Sequence, residues 1–160
     1  MTDLLRLLDD LPDVHFAPGD TVVAEGGAGA EIWVLVSGAL SVSRNGVTIN
    51  AVTRPGALVG EISVLLGVPH GATVRATAAS VLRHAADGRA LLDRHPSVVR
   101  MVAVGLAERL NHVTSYLVDL QLQYGSAPGL SMVPDVLREL SQRQAPPARP
   151  GSARDPDPAY

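Results

Sequence analysis

Asn45-Gly46 lies between two β-type runs, Leu40-Ser41-Val42 and Val47-Thr48-Ile49. A two-residue Asn-Gly link is the strongest short-range hairpin signal, because both residues tolerate the positive φ that a tight turn demands. The same pattern of short runs and turns extends from Asp13 to Val81. Val14 and Phe16 alternate, Pro18-Gly19-Asp20 turns the chain, and Thr21-Val22-Val23 follows. The glycine-rich Glu25-Gly26-Gly27-Ala28-Gly29 interrupts it again, and Ile32-Trp33-Val34-Leu35-Val36 then runs to Ser37-Gly38. Ala51-Val52 completes the strand that returns from Asn45-Gly46. Many short strands at regular spacing predict a sandwich or barrel.

Helical patterns flank this region. Thr2 to Leu11 reads as a helix, with Thr2 or Asp3 as cap and Leu4, Leu5, Leu7, Leu8 and Leu11 as its apolar side. Pro12 ends it. Asp87 to His95 reads as a short helix capped by Asp87 and broken by Pro96. Ser97 is expected to cap a long helix that runs to about Tyr124 and stops at Gly125. Ser131 to about Gln142 is a further short helix with Pro134 near its first turn and Val136, Leu137 and Leu140 on one side. Residues 145–160 are rich in Pro, Ala and Arg without periodicity, and are expected to be disordered. The expected division is 1–12 for the N-terminal helix, 13–96 for the barrel, 97–125 for the long helix, 126–144 for an accessory helix and 145–160 for the tail.

Composition narrows the function classes. The 160 residues suit one domain with short extras, and the absence of cysteine excludes disulfides and thiolate metal sites. No apolar run approaches the ~18 residues of a membrane span, and Met1-Thr2-Asp3 lacks the basic start of a secretion signal. A cytoplasmic protein without a membrane partner is expected. The net charge of -3, with no basic stripe, argues against nucleic acid as a partner. His15, His70, His84, His95 and His112 form no metal-ligand spacing on one helix face. A Gly-x-Ser-x-Gly elbow, a P-loop and a His-Glu-x-x-His motif are all missing, so neither an enzyme nor a resident metal or cofactor is expected.

Arg54 to Ala76 is the chemically informative stretch. Pro55-Gly56 marks a turn, Gly60-Glu61 leads into the apolar run Ile62 to Leu66, and Gly67 and Pro69 stop it. A helix of one or two turns leaves most of its amides without intrahelical acceptors, so they can hold an anion. Gly60 lets a ligand approach the backbone, and Glu61 at the helix mouth can accept hydrogen bonds from sugar hydroxyls. A small sugar phosphate fits both halves.

Val59-Gly60-Glu61-Ile62-Ser63-Val64, then His70-Gly71-Ala72-Thr73-Val74-Arg75-Ala76, resembles the phosphate-binding cassette of cyclic nucleotide-binding domains. Val22-Val23-x-x-Gly26-x-x-Gly29-x-x-Ile32-Trp33-Val34-Leu35-x-x-Gly38 resembles that family's first barrel signature. The resemblance covers roughly half the chain. It implies a mainly β fold with flanking helices: a jelly-roll (double-stranded β-helix) barrel with a short N-terminal helix, a cassette helix, a B helix and a long C helix. It also implies cyclic AMP or cyclic GMP as ligand, held by Gly60, Glu61, Ile62, Ser63, His70, Gly71 and Ala72, with Glu61 on the ribose 2′-hydroxyl. The glycines of Gly26 to Gly29 are then barrel turns, and a dinucleotide loop would require a helix where this chain has a strand.

The chain departs from the family at the phosphate contact. His70 stands where Arg belongs, and Gly71 where Ser, Thr or Ala is usual. Arg offers a permanent charge and a bidentate fork, whereas a neutral imidazole offers one donor. Losing charge-assisted bonds to a buried anion costs about 2–4 kcal/mol, or roughly 30- to 1000-fold in affinity. Either a bound phosphate draws a proton onto His70 and the site works with pH dependence, or the pocket no longer responds to nucleotide. Arg75, five residues along, is a candidate for compensation.

On the long helix Leu106, Leu110, Val113, Leu117, Leu120 and Tyr124 alternate in steps of four and three, the spacing of a coiled-coil seam. The resemblance implies a C helix that forms a homodimer and covers the base, with Thr114 and Ser115 similar to the hydroxyl pair that contacts adenine in catabolite activators. The helix-turn-helix of those regulators has no counterpart, since one short helix after Gly125 cannot form one. Two functions are therefore expected: a cyclic nucleotide sensor acting on a separate protein partner, or a dimeric interaction scaffold that no longer binds nucleotide.

Overall fold

The structure, a computed structural model, describes residues 3–124 and 132–142. Eight strands form two four-stranded antiparallel sheets. The first sheet has β1 (Asp13–Phe16), β8 (Ser80–Ala85), β3 (Ile32–Ser37) and β6 (Leu58–Val59) in that order. The second has β2 (Thr21–Val23), β7 (Thr73–Ala76), β4 (Leu40–Arg44) and β5 (Val47–Val52). Strands that neighbour each other in sequence alternate between sheets at several points, which is the jelly-roll pattern. The Asn45-Gly46 hairpin forms as expected: Arg44 faces Val47, and both turn residues have positive φ.

Residues alternate between the interior and the outer faces, as the strand period requires. Val22, Val23, Trp33, Leu35, Leu40, Val59, Val74, Ala76 and Leu82 fill the interior. Val14, Phe16, Val42, Val52 and Ala57 pack against that cluster and stay partly exposed. Burying a side chain the size of Val or Leu contributes about 1.5–3 kcal/mol, so this interior is what holds the two sheets together. Within the first sheet, Ile32 and Val34 are fully buried as well, so β3 is covered on both faces.

The helices are α1 (Asp3–Leu7), α2 (Glu61–Leu66), α3 (Gly88–Arg94), α4 (Pro96–Tyr124) and α5 (Val133–Gln142). α1 is shorter than the expected Thr2–Leu11, and Thr2 lies outside the described residues. The Arg83 guanidinium donates to the carbonyls of Leu5 and Leu8, so a cation on β8 satisfies acceptors where the helix ends. Asp87 caps α3 as expected, accepting from the Ala90 amide at 2.9 Å. Ser97 does not cap α4. The helix begins one residue earlier at Pro96, where a fixed φ and a missing N–H cost nothing, and the His95 carbonyl accepts from Val98 and Val99. α5 starts at Val133, with Pro134 in its first turn. Ser131, Gly125 and the tail 145–160 lie outside the described residues.

Met1–Val104 forms one compact unit and Gly105–Tyr160 a second, so the boundary falls inside α4. No helix among the described residues is long and apolar enough to cross a membrane.

Candidate functional site

The site grows from the end of β6. Val59 pairs with Trp33 and ends the strand; Gly60 then turns the chain into α2 with φ +93. An L side chain is strained at that φ. It is also excluded by space: a Cβ on Gly60 would stand 2.5 Å from the Glu31 carbonyl oxygen and 3.3 Å from His70 Cε1. Glycine is therefore the residue that lets three segments meet.

Two titratable side chains are buried there. Glu61 is 6% exposed and His70 5% exposed. Burying such groups is tolerated only when they are paired or when something else satisfies them. His70 Nε2 has no hydrogen-bond partner among the described residues. The His70 backbone, by contrast, is fully engaged: its N–H donates to the Gly27 carbonyl at 2.9 Å and its carbonyl accepts from Gly26 at 2.8 Å. The glycine-rich turn thus brackets His70 and fixes where its imidazole lies, between Gly27 and Gly60.

The other expected contacts fall at varied depths. Ser63 is buried on α2. The Ile62 side chain is exposed, so its backbone N–H is what it can offer a ligand. Gly71 is exposed with open space around it, and Ala72 is half-buried. Arg75 does not take the place of the missing cation. Val74 and Ala76 point into the barrel, so the strand period turns Arg75 outward, where it is exposed. Thr114, half-buried, and Ser115, exposed, lie on α4 in the second unit. Among the described residues no group of three or more His, Asp or Glu side chains is placed to hold a metal ion.

Two features escaped the sequence. Gly29 packs against the cassette so closely that a Cβ would collide with the Val68 carbonyl and stand 2.7 Å from Ser63 Cβ. The glycine-rich turn is thus a structural support of the site, in line with its expected role as a barrel turn. Glu31 and His84 also pair, with Oε2 and Nε2 2.9 Å apart, and His84 stacks on Trp33. The spacing of 53 residues between the pair hides it from any sequence pattern.

Comparison with known proteins bears on the fold. The cyclic nucleotide-binding domain model matches residues 13–88. A cAMP-dependent protein kinase regulatory subunit from Eremothecium gossypii is 32% identical over 75 residues, covering 47% of this chain and 16% of that subunit. The chain therefore spans a small part of that relative. The Thermus thermophilus catabolite activator protein superposes with a TM-score of 0.60 at 25% identity, over 79% of this chain and 60% of that one. A kinase regulatory domain described as "Sp-2Cl-cAMPS bound to PKAR CBD2" superposes with a TM-score of 0.53 at 21% identity, over 66% and 73% of the two chains, which shows a shared fold.

Proposed function

Because this chain belongs, through residues 13–88, to the cyclic nucleotide-binding domain family, we propose that it is a regulatory sensor of cyclic AMP or cyclic GMP that acts on a separate protein partner. The carrying observation is the burial of Glu61 and His70 at Gly60, with His70 Nε2 lacking any partner among the described residues. A donor held dry at the mouth of a short helix is what an anionic phosphate would satisfy. Glu61, at the same turn, is the acceptor for the ribose hydroxyl. Gly71 and Ala72 leave room beside the phosphate. Cyclic nucleotide-binding domains are typically non-catalytic regulatory domains, and the role proposed for this chain is binding.

The homodimer through Leu106, Leu110, Val113, Leu117, Leu120 and Tyr124 belongs to the same proposal. Leu110 and Val113 are about half exposed in the single chain, so a second copy of the stripe has apolar surface to cover. We place the protein in the cytoplasm and assign it neither nucleic acid nor membrane as partner.

Titration calorimetry with cyclic AMP and cyclic GMP tests the site. Saturable heat is expected. Absence of heat at millimolar nucleotide would reject the sensor.

A second function is favoured by two observations: His70 supplies no permanent charge, and Arg75 faces away from the site. In that case the barrel is a dimeric scaffold for a protein partner. It requires a dimer whose thermal midpoint is the same with and without cyclic nucleotide, and an upward shift of several degrees counts against it.

A further inference from the structure

Trp33, the only tryptophan of the chain, carries a buried indole N–H with no partner among the described residues. The residue is 7% exposed, and an indole N–H can donate but not accept. Among the described residues three buried side-chain polar atoms lack partners, and two of them, His70 Nε2 and Trp33 Nε1, lie in the barrel unit. Trp33 pairs with Val59, the residue just before Gly60, and Gly60 abuts His70.

The wall around the indole is aromatic and polar at once. The His84 imidazole lies nearly flat on it, with ring centroids 4.0 Å apart and planes inclined by 19°. Phe16 meets it edge-on at 5.5 Å. Glu31 holds His84 Nε2 at 2.9 Å, and the Glu31 carbonyl borders Gly60. A purely structural tryptophan in this position would be expected to find an acceptor in the ladder or in Glu31, but Glu31 is directed to His84.

We propose that the Trp33 indole N–H is a base contact, donating to an acceptor on the edge of the purine of a bound cyclic nucleotide. This rests on the proposed function above: the phosphate faces His70 and the pentose faces Glu61. The planar base is then the part of the ligand still to be placed. Its ring nitrogens and, in guanine, its carbonyl oxygen supply the acceptor that Trp33 lacks. The two orphaned donors are then satisfied by opposite ends of one molecule, which neither an inorganic phosphate nor a free base achieves.

The single tryptophan makes the test direct. The 15N-labelled full chain gives one indole N–H resonance, followed by NMR while cyclic AMP or cyclic GMP is added and heat is measured in parallel. Binding heat together with a downfield move of that resonance, by either nucleotide, is expected. Trp33→Phe, which keeps the ring and removes the donor, is expected to weaken binding by about three- to tenfold. Heat with an unmoved indole resonance overturns the base contact while leaving the sensor intact. Heat absent with both nucleotides removes both. If Trp33→Phe fails to fold, the wild-type resonance alone decides. If it folds and binds as tightly as the wild type, the base contact is rejected.

Discussion

His70 and Gly60 are in contact distance, with His70 Cε1 3.3 Å from where a Cβ on Gly60 would stand. The imidazole keeps its place because residue 60 has no side chain. Gly60→Ala would meet both His70 and the Glu31 carbonyl while forcing an L residue to φ +93. The expected loss is about 1–3 kcal/mol of stability, from strain at a left-handed backbone position. The thermal midpoint is expected to fall, and nucleotide heat to vanish in whatever folded protein remains.

His70→Arg puts a permanent charge at a buried position whose imidazole Nε2 has no hydrogen-bond partner among the described residues. Affinity for cyclic AMP is expected to rise by roughly 30- to 1000-fold, the reverse of the cost of lacking charge-assisted bonds. Calorimetry of the variant beside the wild type measures it. An unchanged or weaker affinity would mean that the bracket formed by Gly26 and Gly27 aims this position away from the phosphate.

Glu61→Gln keeps the shape and removes the charge. Hydrogen bonds to a charged acceptor are worth about 1.5–3 kcal/mol, so affinity is expected to drop by roughly ten- to 150-fold. A ligand lacking the ribose 2′-hydroxyl, 2′-deoxy cyclic AMP, is expected to bind wild type and variant about equally. A deoxy ligand that still discriminates between them would take the Glu61 carboxylate off the pentose.

Much of the fold is legible in the sequence alone. Asn45-Gly46 fixed a hairpin because its two positive φ values suit few other residues. The order of strands followed from apolar runs cut at glycine and proline. The outward Arg75 was also within reach, since Val74 and Ala76 flank it with the period of a strand. The start of α4 was missed because Ser97 and Pro96 are both good first-turn residues and only the His95 carbonyl decides between them. The Glu31, His84 and Trp33 group was not legible at all. It depends on the register of β3 against β8, where Trp33 faces His84, and register is a property of the sheet as a whole.

Arg83 shows the same long-range dependence and gives a stability prediction that leaves the site alone. Its guanidinium reaches the Leu5 and Leu8 carbonyls, and its Nε lies 3.2 Å from Asp13 Oδ1. Asp13 is about half exposed, so the ion pair itself adds little. The two helix carbonyls are the larger part. Arg83→Ala is expected to cost about 1–3 kcal/mol in urea unfolding and to leave nucleotide affinity unchanged. A loss under about 0.5 kcal/mol would mean that water replaces the guanidinium at no cost.

The α4 seam yields the test of assembly. Leu110 and Val113 are exposed by 50% and 49% in the isolated chain, and Leu106, Leu117 and Leu120 are half-buried. Steps of four and three place all five on one stripe, and a second copy of the helix presents the same stripe to it. Burying an exposed Leu and Val from each chain contributes about 1–2 kcal/mol per residue by area, so two charges inserted there have a large effect. Leu110→Glu with Val113→Glu puts like charges from both copies against each other, and light scattering is expected to show a dimer for the wild type and a monomer for the double variant. Helix content by circular dichroism should stay close to that of the wild type, because glutamate is a good helix former. A wild type that is monomeric at about 100 μM, a concentration where an interface worth ~8 kcal/mol would be filled, would leave the seam to a different partner.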